Sequence, residues 1–317
     1  MTPRPLLVVV GPTAVGKTEF CVLLGQAMDA EIVSADSMQV YRGMDIGTAK
    51  PTEAERGGVP HHCLDIVDPR DAFNVADYRR CALQAINGIH SRGRLPILSG
   101  GTGLYVRAVV DEFLFPDRGA DWELRRRLEE EAERYGRAAL HARLAAVDPE
   151  TAARLHPNDL RRVVRALEVY ERTGRPLSDH LREAKSREPR FDLLMFGLTR
   201  PREELYARIN ARVDEQIRRG LVEEVEALME QGLDEGDIAA QGLGYKEILA
   251  FLKGRTSLEE AVRVLKRDTR HYARRQLIWF KADPRIRWLD LSGYDSLAAA
   301  TVPVIEAVRQ RWPQYAP

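Results

Sequence analysis

Apolar residues in the first hundred positions come in short continuous runs, with helix-compatible segments between them. Residues 6–10 read LLVVV, which is typical of a strand buried on both faces of a sheet. Residues 17–28 are compatible with a helix, and residues 31–34 indicate a second short strand. Strands that alternate with helices predict a parallel sheet with right-handed crossovers.

The same alternation continues further along the chain. Residues 74–93 predict a helix, because Asn74 can cap its first turn and Gly93 can end it. The segment LPILSGGTG predicts a third strand that enters a glycine turn. Residues 191–201 return to a strand pattern, and Pro201 stands where a new helix can begin. Long helices are then expected up to residue 281.

Charged helical segments replace the strands between residues 117 and 190. In the clearest of them, Asn158 or Asp159 can cap the helix and Gly174 can end it. We therefore predict a helical subdomain, residues 117–190, inserted into a core made of residues 1–116 together with 191–317. The apolar stripe of that clearest helix consists of Leu160, Val163, Val164, Leu167 and Tyr170.

The segment GPTAVGKT joins the first strand to the first helix and has the pattern of a phosphate-binding loop. In such a loop glycines let backbone N–H groups point at phosphate oxygens, and the following helix N-terminus favours negative charge. Lys17 adds a positive charge, and Thr18 offers a hydroxyl to Mg²⁺. A plain glycine turn is the alternative, but the flanking strand and helix favour the loop. Its residues are Gly11, Pro12, Thr13, Ala14, Val15, Gly16, Lys17 and Thr18.

The predicted fold class is therefore α/β, with a P-loop-type parallel-sheet core, an inserted all-helical subdomain and further C-terminal helices. The loop indicates a di- or triphosphate ligand without identifying ATP. A kinase or NTPase of this class also needs a metal-holding aspartate at a strand end. The third strand ends at Ser99 instead, which weakens the NTPase interpretation without excluding it.

Two polar residues follow the second and third strands. Asp36 is expected beside the phosphate loop, since ligands of doubly wound sheets lie at the carboxyl ends of the strands. There it can hold Mg²⁺ through water, accept a proton from a nucleophile, or simply form a turn. Thr102 either caps the next helix or faces the same cleft.

Composition and charge fit a protein with a sizeable core. The 317 residues are 44% hydrophobic and 30% charged, with a formal net charge of zero that does not by itself indicate a nucleic-acid partner. Three cysteines without a CxxC pair argue against a disulfide framework or a structural zinc site. We interpret the adjacent His61 and His62 as structural. No apolar run suits a membrane span, so the cytoplasm is the expected location.

Six segments occur together in an order that resembles one family, the bacterial tRNA dimethylallyltransferases, also called tRNA isopentenyltransferases. The resemblance extends from residue 6 to about residue 281, and the second segment is long and distinctive. The segments are GPTAVGKT, SADSMQVYRGMDIGTAKP, HHCLDIVDP, FNVADYRR, LSGGTGLY and GLGYKEI.

The resemblance implies that a dimethylallyl group moves from dimethylallyl diphosphate to N6 of the adenine 3′ of the anticodon in tRNA, with release of diphosphate. It implies that the loop and Mg²⁺ on Thr18 bind the diphosphate while Lys17 stabilises the leaving charge. By the same resemblance Asp36 is the base that takes the N6 proton, and Thr102 forms a hydrogen bond near the reacting centre. A monomer is expected.

An adenine within an anticodon loop must leave its stack to reach such a site, so a clamp on the RNA is also implied. The implied tRNA contacts are Asp36, Ser37, Met38, Gln39, Thr102, Arg125, Arg161, Arg162, Arg165, Gln241, Gly242, Gly244, Tyr245, Lys246, Arg274, Arg275, Gln276 and Lys281.

A row of cations on one predicted helix accounts for part of this clamp. Arg263, Arg267, Arg270 and Arg274 share one side of a helix that opens near Ser257. A solvated surface over an apolar core is the alternative interpretation, and only the family match favours RNA contact for residues 274–281. The opposite side carries Leu258, Ala261, Leu265, Tyr272 and Trp279.

Two rival functions stay open at this point. A small-molecule or nucleotide kinase with an inserted lid would bind a nucleoside triphosphate and transfer a phosphoryl group. A non-catalytic RNA-binding NTPase switch is the third hypothesis.

Arg208 and Arg212, four positions apart on one predicted helix, are further candidates for contact with the diphosphate.

Overall fold

The computed structural model describes residues 3–111, 121–186 and 188–315, apart from the side chain of Lys185. The chain divides into two compact units. One is formed by Met1–Val110 with Phe191–Pro317, and the other by Asp111–Arg190. The boundary that we predicted at residues 116 and 117 lies outside the described residues.

A parallel sheet forms the centre of the larger unit. Its strands are β1 (Arg4–Val10), β2 (Glu31–Ser34), β3 (His61–His62), β4 (Pro96–Gly100), β5 (Phe191–Thr199) and β6 (Ile286–Asp290). They lie in the order β3-β2-β4-β1-β5-β6, and every pairing is parallel. The connection after β1 runs to one side of the sheet, to β2, and the connection after β4 runs to the other side, to β5. The loops after β1 and β4 therefore border the crevice where such sheets bind ligands.

Helices cover this sheet. They are α1 (Lys17–Met28), α2 (Glu53–Arg56), α3 (Val75–Ser91) and α4 (Gly103–Val110) before the helical unit. After it come α10 (Arg202–Arg218), α11 (Leu221–Glu230), α12 (Tyr245–Leu252), α13 (Leu258–Lys281) and α14 (Leu297–Arg311). Short 3₁₀ turns occur at Ala239–Gln241, Leu291–Gly293 and Pro313–Tyr315. Within the described part of the chain, no helix combines the length and hydropathy of a membrane span.

The side chains of β1 alternate between two separate cores. Leu6 and Val8 pack in a core with residues of α3, α4 and α12, whereas Leu7 and Val9 pack with residues of α1 and α14. All four are fully buried. Burial on both faces explains why residues 6–10 of the strand are all apolar, and the sheet with its helices confirms the predicted α/β architecture.

The helical unit has a core of its own. It comprises α5 (Trp122–Tyr135), α6 (Arg137–Val147), α7 (Pro149–Arg154), α8 (Leu160–Thr173) and α9 (Leu177–Ser186). On α8 the buried residues include Val163, Val164 and Leu167, as the apolar stripe predicted. Asp159 holds the N-cap position of α8 without a side-chain cap, and Gly174 ends the helix in the left-handed conformation.

The elements of the larger unit that the sequence did not predict include the four-residue helix α2, β3, β6 and α14. β3 has only two residues, too few to leave a periodic pattern. β6 lies at the edge of the sheet and contains Arg287 and Asp290, so it lacks the apolar run that marks a central strand. α14 contains Pro303 inside the helix, which obscured its helical pattern.

Candidate active site at the carboxyl ends of the strands

Residues 11–16 form the turn between β1 and α1, and Lys17 and Thr18 begin the helix. Ala14 and Gly16 hold left-handed backbone, with φ of 63° and 113°. Glycine adopts this conformation freely, while at Ala14 it is strained and must be maintained by the surrounding structure. A left-handed turn that leads into a helix N-terminus concentrates free N–H groups and binds anions.

Lys17 folds back over this loop. Its Nζ donates hydrogen bonds to the carbonyl oxygens of Gly11 and Pro12, at 2.9 and 2.8 Å. Burial lowers the pKa of Lys17 to about 8, and the charge of Arg212 adds to the effect while Asp36 opposes it. A bound anion would raise the pKa of Lys17 again, because it supplies the missing opposite charge.

Three arginines after β5 surround the loop with positive charge. Arg208 Nε donates to the carbonyl of Ala14, and Arg200 Nε to that of Val15, both at 2.9 Å. Burial, together with the charge of Arg208, lowers the pKa of Arg212. Arg208 and Arg212 were expected near the diphosphate. Arg200 was missed, because nothing in its local sequence indicates contact with a loop 185 residues away.

Asp36 is half-buried just beyond β2. Its Oδ1 accepts hydrogen bonds from the N–H groups of Met38 and Gln39, at 2.9 and 3.4 Å. The carboxylate therefore forms the turn that was one of its predicted roles. The charge of Asp36 partly opposes the lowering of the Lys17 pKa by burial, and it helps to raise the pKa of Tyr272. Asp36 therefore lies within electrostatic reach of the phosphate loop and of α13.

Thr102 faces the turn formed by Asp36. Its Oγ1 accepts a hydrogen bond from the N–H of Ser37 at 3.0 Å and donates one to Ser37 Oγ at 3.3 Å. The two turns approach closely, since a Cβ added to Gly100 would lie 2.1 Å from the carbonyl oxygen of Ala35. Of the two predicted orientations for the Thr102 side chain, the structure therefore has the one toward the cleft.

The residues after Asp36 line one side of this cleft and carry the next loop. Ser37, Met38 and Gln39 are half-buried. Gln39 accepts a hydrogen bond from Ser34 Oγ at 3.0 Å, and its Nε2 donates to Thr48 at 3.3 Å. These bonds hold the side-chain amide of Gln39 between Ser34 and Thr48.

Glu224 of α11 anchors the loop at residues 45–47, a contact that no sequence pattern indicated. Its carboxylate accepts hydrogen bonds from the N–H groups of Asp45, Ile46 and Gly47, at 3.0, 2.7 and 3.1 Å. The hydroxyl of Tyr245 donates to the same carboxylate at 2.6 Å. Three converging N–H groups make a strong anion site, and here the protein's own side chain fills it.

The predicted tRNA contacts in residues 241–246 have different environments. Gly242 lies beside Met38, since a Cβ there would be 3.0 Å from its Sδ. Gly244 has a φ of 94° and immediately precedes α12. Its neighbour Tyr245 is fully buried. Tyr245 was expected to contact RNA directly, but in the structure its side chain is buried in the protein.

Gln241 and Lys246, two further predicted contacts, both have partners within the protein. Gln241 donates to the carbonyl of Glu235, and Lys246 pairs with Glu247 and Asp268.

The cations of α13 do not form one uniform row. Arg263 pairs with Glu260, Arg267 pairs with Asp268, and Arg270 donates to Asn210 at 2.7 Å. Arg274 and Lys281 are exposed. The buried side of the helix consists of Ala261, Leu265, Thr269, Ala273, Gln276 and Phe280.

Two aromatic residues of α13 are less buried than the expected apolar face implied. Trp279 is 38% exposed and packs against Gly103, where a Cβ would approach the indole to 2.2 Å. Tyr272 is half-buried, and Arg275 lies 5.7 Å from its ring centroid. Burial and the charge of Asp36 raise the pKa of Tyr272 to about 12.

Gln276 was expected at the RNA surface, but only 5% of it is exposed. Its Oε1 accepts a hydrogen bond from the N–H of Thr13 at 2.8 Å, and its Nε2 donates to the carbonyl of Gly101 at 2.9 Å. The amide is therefore engaged on both ends within the protein.

Two of the four predicted tRNA contacts of the helical unit bind a buried carboxylate. Glu168 accepts hydrogen bonds from Arg125 at 2.9 Å and from Arg165 at 2.6 Å. Although burial opposes it, these bonds lower the pKa of Glu168. Arg162 pairs with Asp159 at 3.3 Å, and Arg161 is exposed. Two of the four arginines thus also stabilise the unit that carries them.

No cluster of three or more His, Cys, Asp and Glu side chains suited to a metal occurs in the described ranges. His62 Nε2 lies 2.6 Å from Glu31 Oε2, and His61 Nδ1 lies 2.8 Å from the carbonyl of Val59. Thr18 is exposed in the first turn of α1, beside the anion-binding loop. A single hydroxyl fits Mg²⁺ that arrives with a diphosphate and keeps several waters.

Comparison with known proteins gives a consistent result. The family model described as IPP transferase matches residues 39–283. A tRNA dimethylallyltransferase of Desulforudis audaxviator is 54% identical and covers 97% of this chain and 99% of its own, and one of Symbiobacterium thermophilum is 53% identical, with 98% and 96% covered.

Solved structures agree with these relatives. A tRNA isopentenylpyrophosphate transferase of Bacillus halodurans has a TM-score of 0.71 at 44% identity, covering 98% of this chain and 97% of its own. A eukaryotic dimethylallyltransferase, described as acting on tRNA, has a TM-score of 0.82 at 30% identity, covering 99% of this chain and 82% of its own.

Proposed function

Because this chain belongs to the IPP transferase family and is a transferase that modifies tRNA, we propose that dimethylallyl diphosphate and an adenine meet between the phosphate loop and Asp36. The product is tRNA with an isopentenyl group on N6 of the adenine 3′ of the anticodon, position 37, and free diphosphate. One observation carries the proposal: Asp36, Lys17 and Thr102 converge at the carboxyl ends of neighbouring strands.

The phosphate loop binds the diphosphate in this proposal. Negative charge builds on the ester oxygen, which links the allylic carbon to phosphorus, as the carbon–oxygen bond breaks. The loop N–H groups, Lys17, Arg208 and Arg212 stabilise that charge where it develops. When bound, Mg²⁺ on Thr18 and the diphosphate oxygens would neutralise further charge.

Asp36 acts on the other reactant. The N6 nitrogen forms a bond to the allylic carbon as the carbon–oxygen bond breaks, and one N6 proton passes to the carboxylate of Asp36. Its Oδ1 is held in place by the N–H groups of Met38 and Gln39, so the carboxylate is oriented before the base arrives. Thr102 stabilises the same turn through Ser37.

The adenine must leave its stack at a cost of about a few kcal/mol, and contacts to the surrounding RNA offset that cost. We assign these contacts to exposed groups: Arg274, Arg275 and Lys281 on α13, and Arg161 and Arg162 on the helical unit. Ser37, Met38 and Gly242 border the pocket for the flipped base.

A transfer assay tests this function. The protein is incubated with an anticodon stem-loop RNA and labelled dimethylallyl diphosphate, without ATP. Label should enter the RNA, and Asp36→Asn should slow transfer by about 10²- to 10⁴-fold, the usual contribution of a general base. Asp71→Asn, an exposed aspartate outside the site, is the matched control.

The outcomes distinguish the rival function. In a parallel reaction that contains ATP, consumption of ATP without transfer of label would indicate a kinase or NTPase instead. Transfer that proceeds equally well with Asp36→Asn would contradict the assignment of the base.

A further inference from the structure

Gln276 of α13 bridges two loops that the proposed reaction uses. Its Oε1 accepts from the N–H of Thr13 in the phosphate loop at 2.8 Å. Its Nε2 donates to the carbonyl of Gly101, immediately before Thr102, at 2.9 Å. A Cβ on Gly101 would approach Nε2 to 2.2 Å, so this contact leaves no room for a side chain.

Tyr272 lies one helical turn earlier on the same side of α13. Its hydroxyl lies close to the side chains of Gln276 and Thr102 and within electrostatic reach of Asp36. Thr102 in turn accepts from the N–H of Ser37 at 3.0 Å. Gln276 thus joins the phosphate loop to the residue before Thr102, and Thr102 is hydrogen-bonded to the turn that carries Asp36.

We propose that Gln276 and Tyr272 are positioning residues, which together set the separation and orientation of the phosphate loop relative to Asp36 and Thr102. This proposal rests on the proposed function of the site. Neither residue takes part in the bond changes; each acts through the loop or side chain that it holds. Such support matters because a displacement of about 1 Å between reacting groups can cost a factor of about 10² in rate.

The two residues should have separable effects. Gln276 contacts both loops, so it controls the diphosphate side and the adenine side. Tyr272 lies close to Thr102 and Gln276, so we expect it to act on the adenine side through Thr102. A direct role of Gln276 in RNA binding would instead change the affinity for RNA alone, and only 5% of Gln276 is exposed for such contact.

The test compares Gln276→Met, which keeps the length and removes the amide, with Tyr272→Phe, which removes only the hydroxyl. His271→Gln, an exposed change on the same helix, is the control. The dissociation constant of dimethylallyl diphosphate is measured without RNA, and kcat and KM for a stem-loop RNA are measured in the full reaction. If Gln276→Met does not fold, Gln276→Asn, one methylene shorter, replaces it.

Loss of one hydrogen bond corresponds to about a two- to tenfold change. We expect Gln276→Met to weaken diphosphate binding by that factor and to lower kcat. Tyr272→Phe should lower kcat with unchanged diphosphate affinity, and KM for RNA should stay unchanged in both. Unchanged diphosphate affinity in Gln276→Met, or equal weakening in both variants, overturns the proposal.

The binding measurement also separates this proposal from the function on which it rests. Dimethylallyl diphosphate can bind without being transferred. If the unmodified protein fails to label RNA, the proposed function fails. The effect of Gln276→Met on diphosphate affinity still decides whether Gln276 positions the phosphate loop.

Discussion

Binding of dimethylallyl diphosphate should weaken about tenfold when the pH rises from 7 to 9. Lys17 has a pKa of about 8 in the free protein, because burial and the charge of Arg212 disfavour its charged form. It is therefore about nine-tenths charged at pH 7 and about one-tenth charged at pH 9. Bound diphosphate requires the charged form, so binding at pH 9 must be accompanied by uptake of a proton.

The same group affects stability in the opposite direction. The pKa of Lys17 is lower in the folded protein than its ordinary value of 10.5, so the unfolded chain binds more protons between these two values. Stability should rise as the pH rises from about 8 to 10.5, by at most roughly 3 kcal/mol. The titration of Lys17 would thus weaken binding at pH 9 without lowering the stability of the fold.

Titration calorimetry without RNA, in buffers of different ionisation enthalpy, measures both affinity and proton uptake. Above pH 7 the phosphate groups are already largely ionised, since their last pKa is about 6. Lys17→Arg keeps its charge at pH 9 and should show a flat profile. Arg212→Gln should move the midpoint to higher pH, because it removes a neighbouring positive charge. Equal affinity of the unmodified protein at pH 7 and pH 9 would show that diphosphate binding does not depend on the charge of Lys17.

Two further predictions concern RNA binding and folding. Arg274→Ala should lower the slope of log affinity against log salt by about 1, while Arg263→Ala, whose guanidinium already pairs with Glu260, should leave it unchanged. Identical slopes for both variants, from fluorescence titrations of a stem-loop RNA, would count against the α13 contact. Glu224→Gln should destabilise the fold by about 1–3 kcal/mol in urea unfolding, because three N–H groups depend on its carboxylate. A loss below about 0.5 kcal/mol would show that the loop at residues 45–47 does not need the charge.

Local features of the sequence determined the central part of the fold. The helix predicted for residues 17–28 and the strand for residues 31–34 have those bounds in the structure. Their signals lie in adjacent residues: an apolar run, a glycine turn, a helix start. Because parallel strands present their carboxyl ends at one edge, sequence position alone also brought Asp36 close to Lys17.

Tertiary structure alone decided which side chains complete the site. Gln276 bonds to Thr13 and Gly101, which lie 263 and 175 positions away in the sequence. The rotation of α13 about its axis places Gln276 inside and Trp279 partly outside, and the alternation of apolar and charged residues did not determine that rotation. Helical periodicity indicates that a face is buried, but the polar partners on that face come from packing between distant segments, and no local signal encodes them.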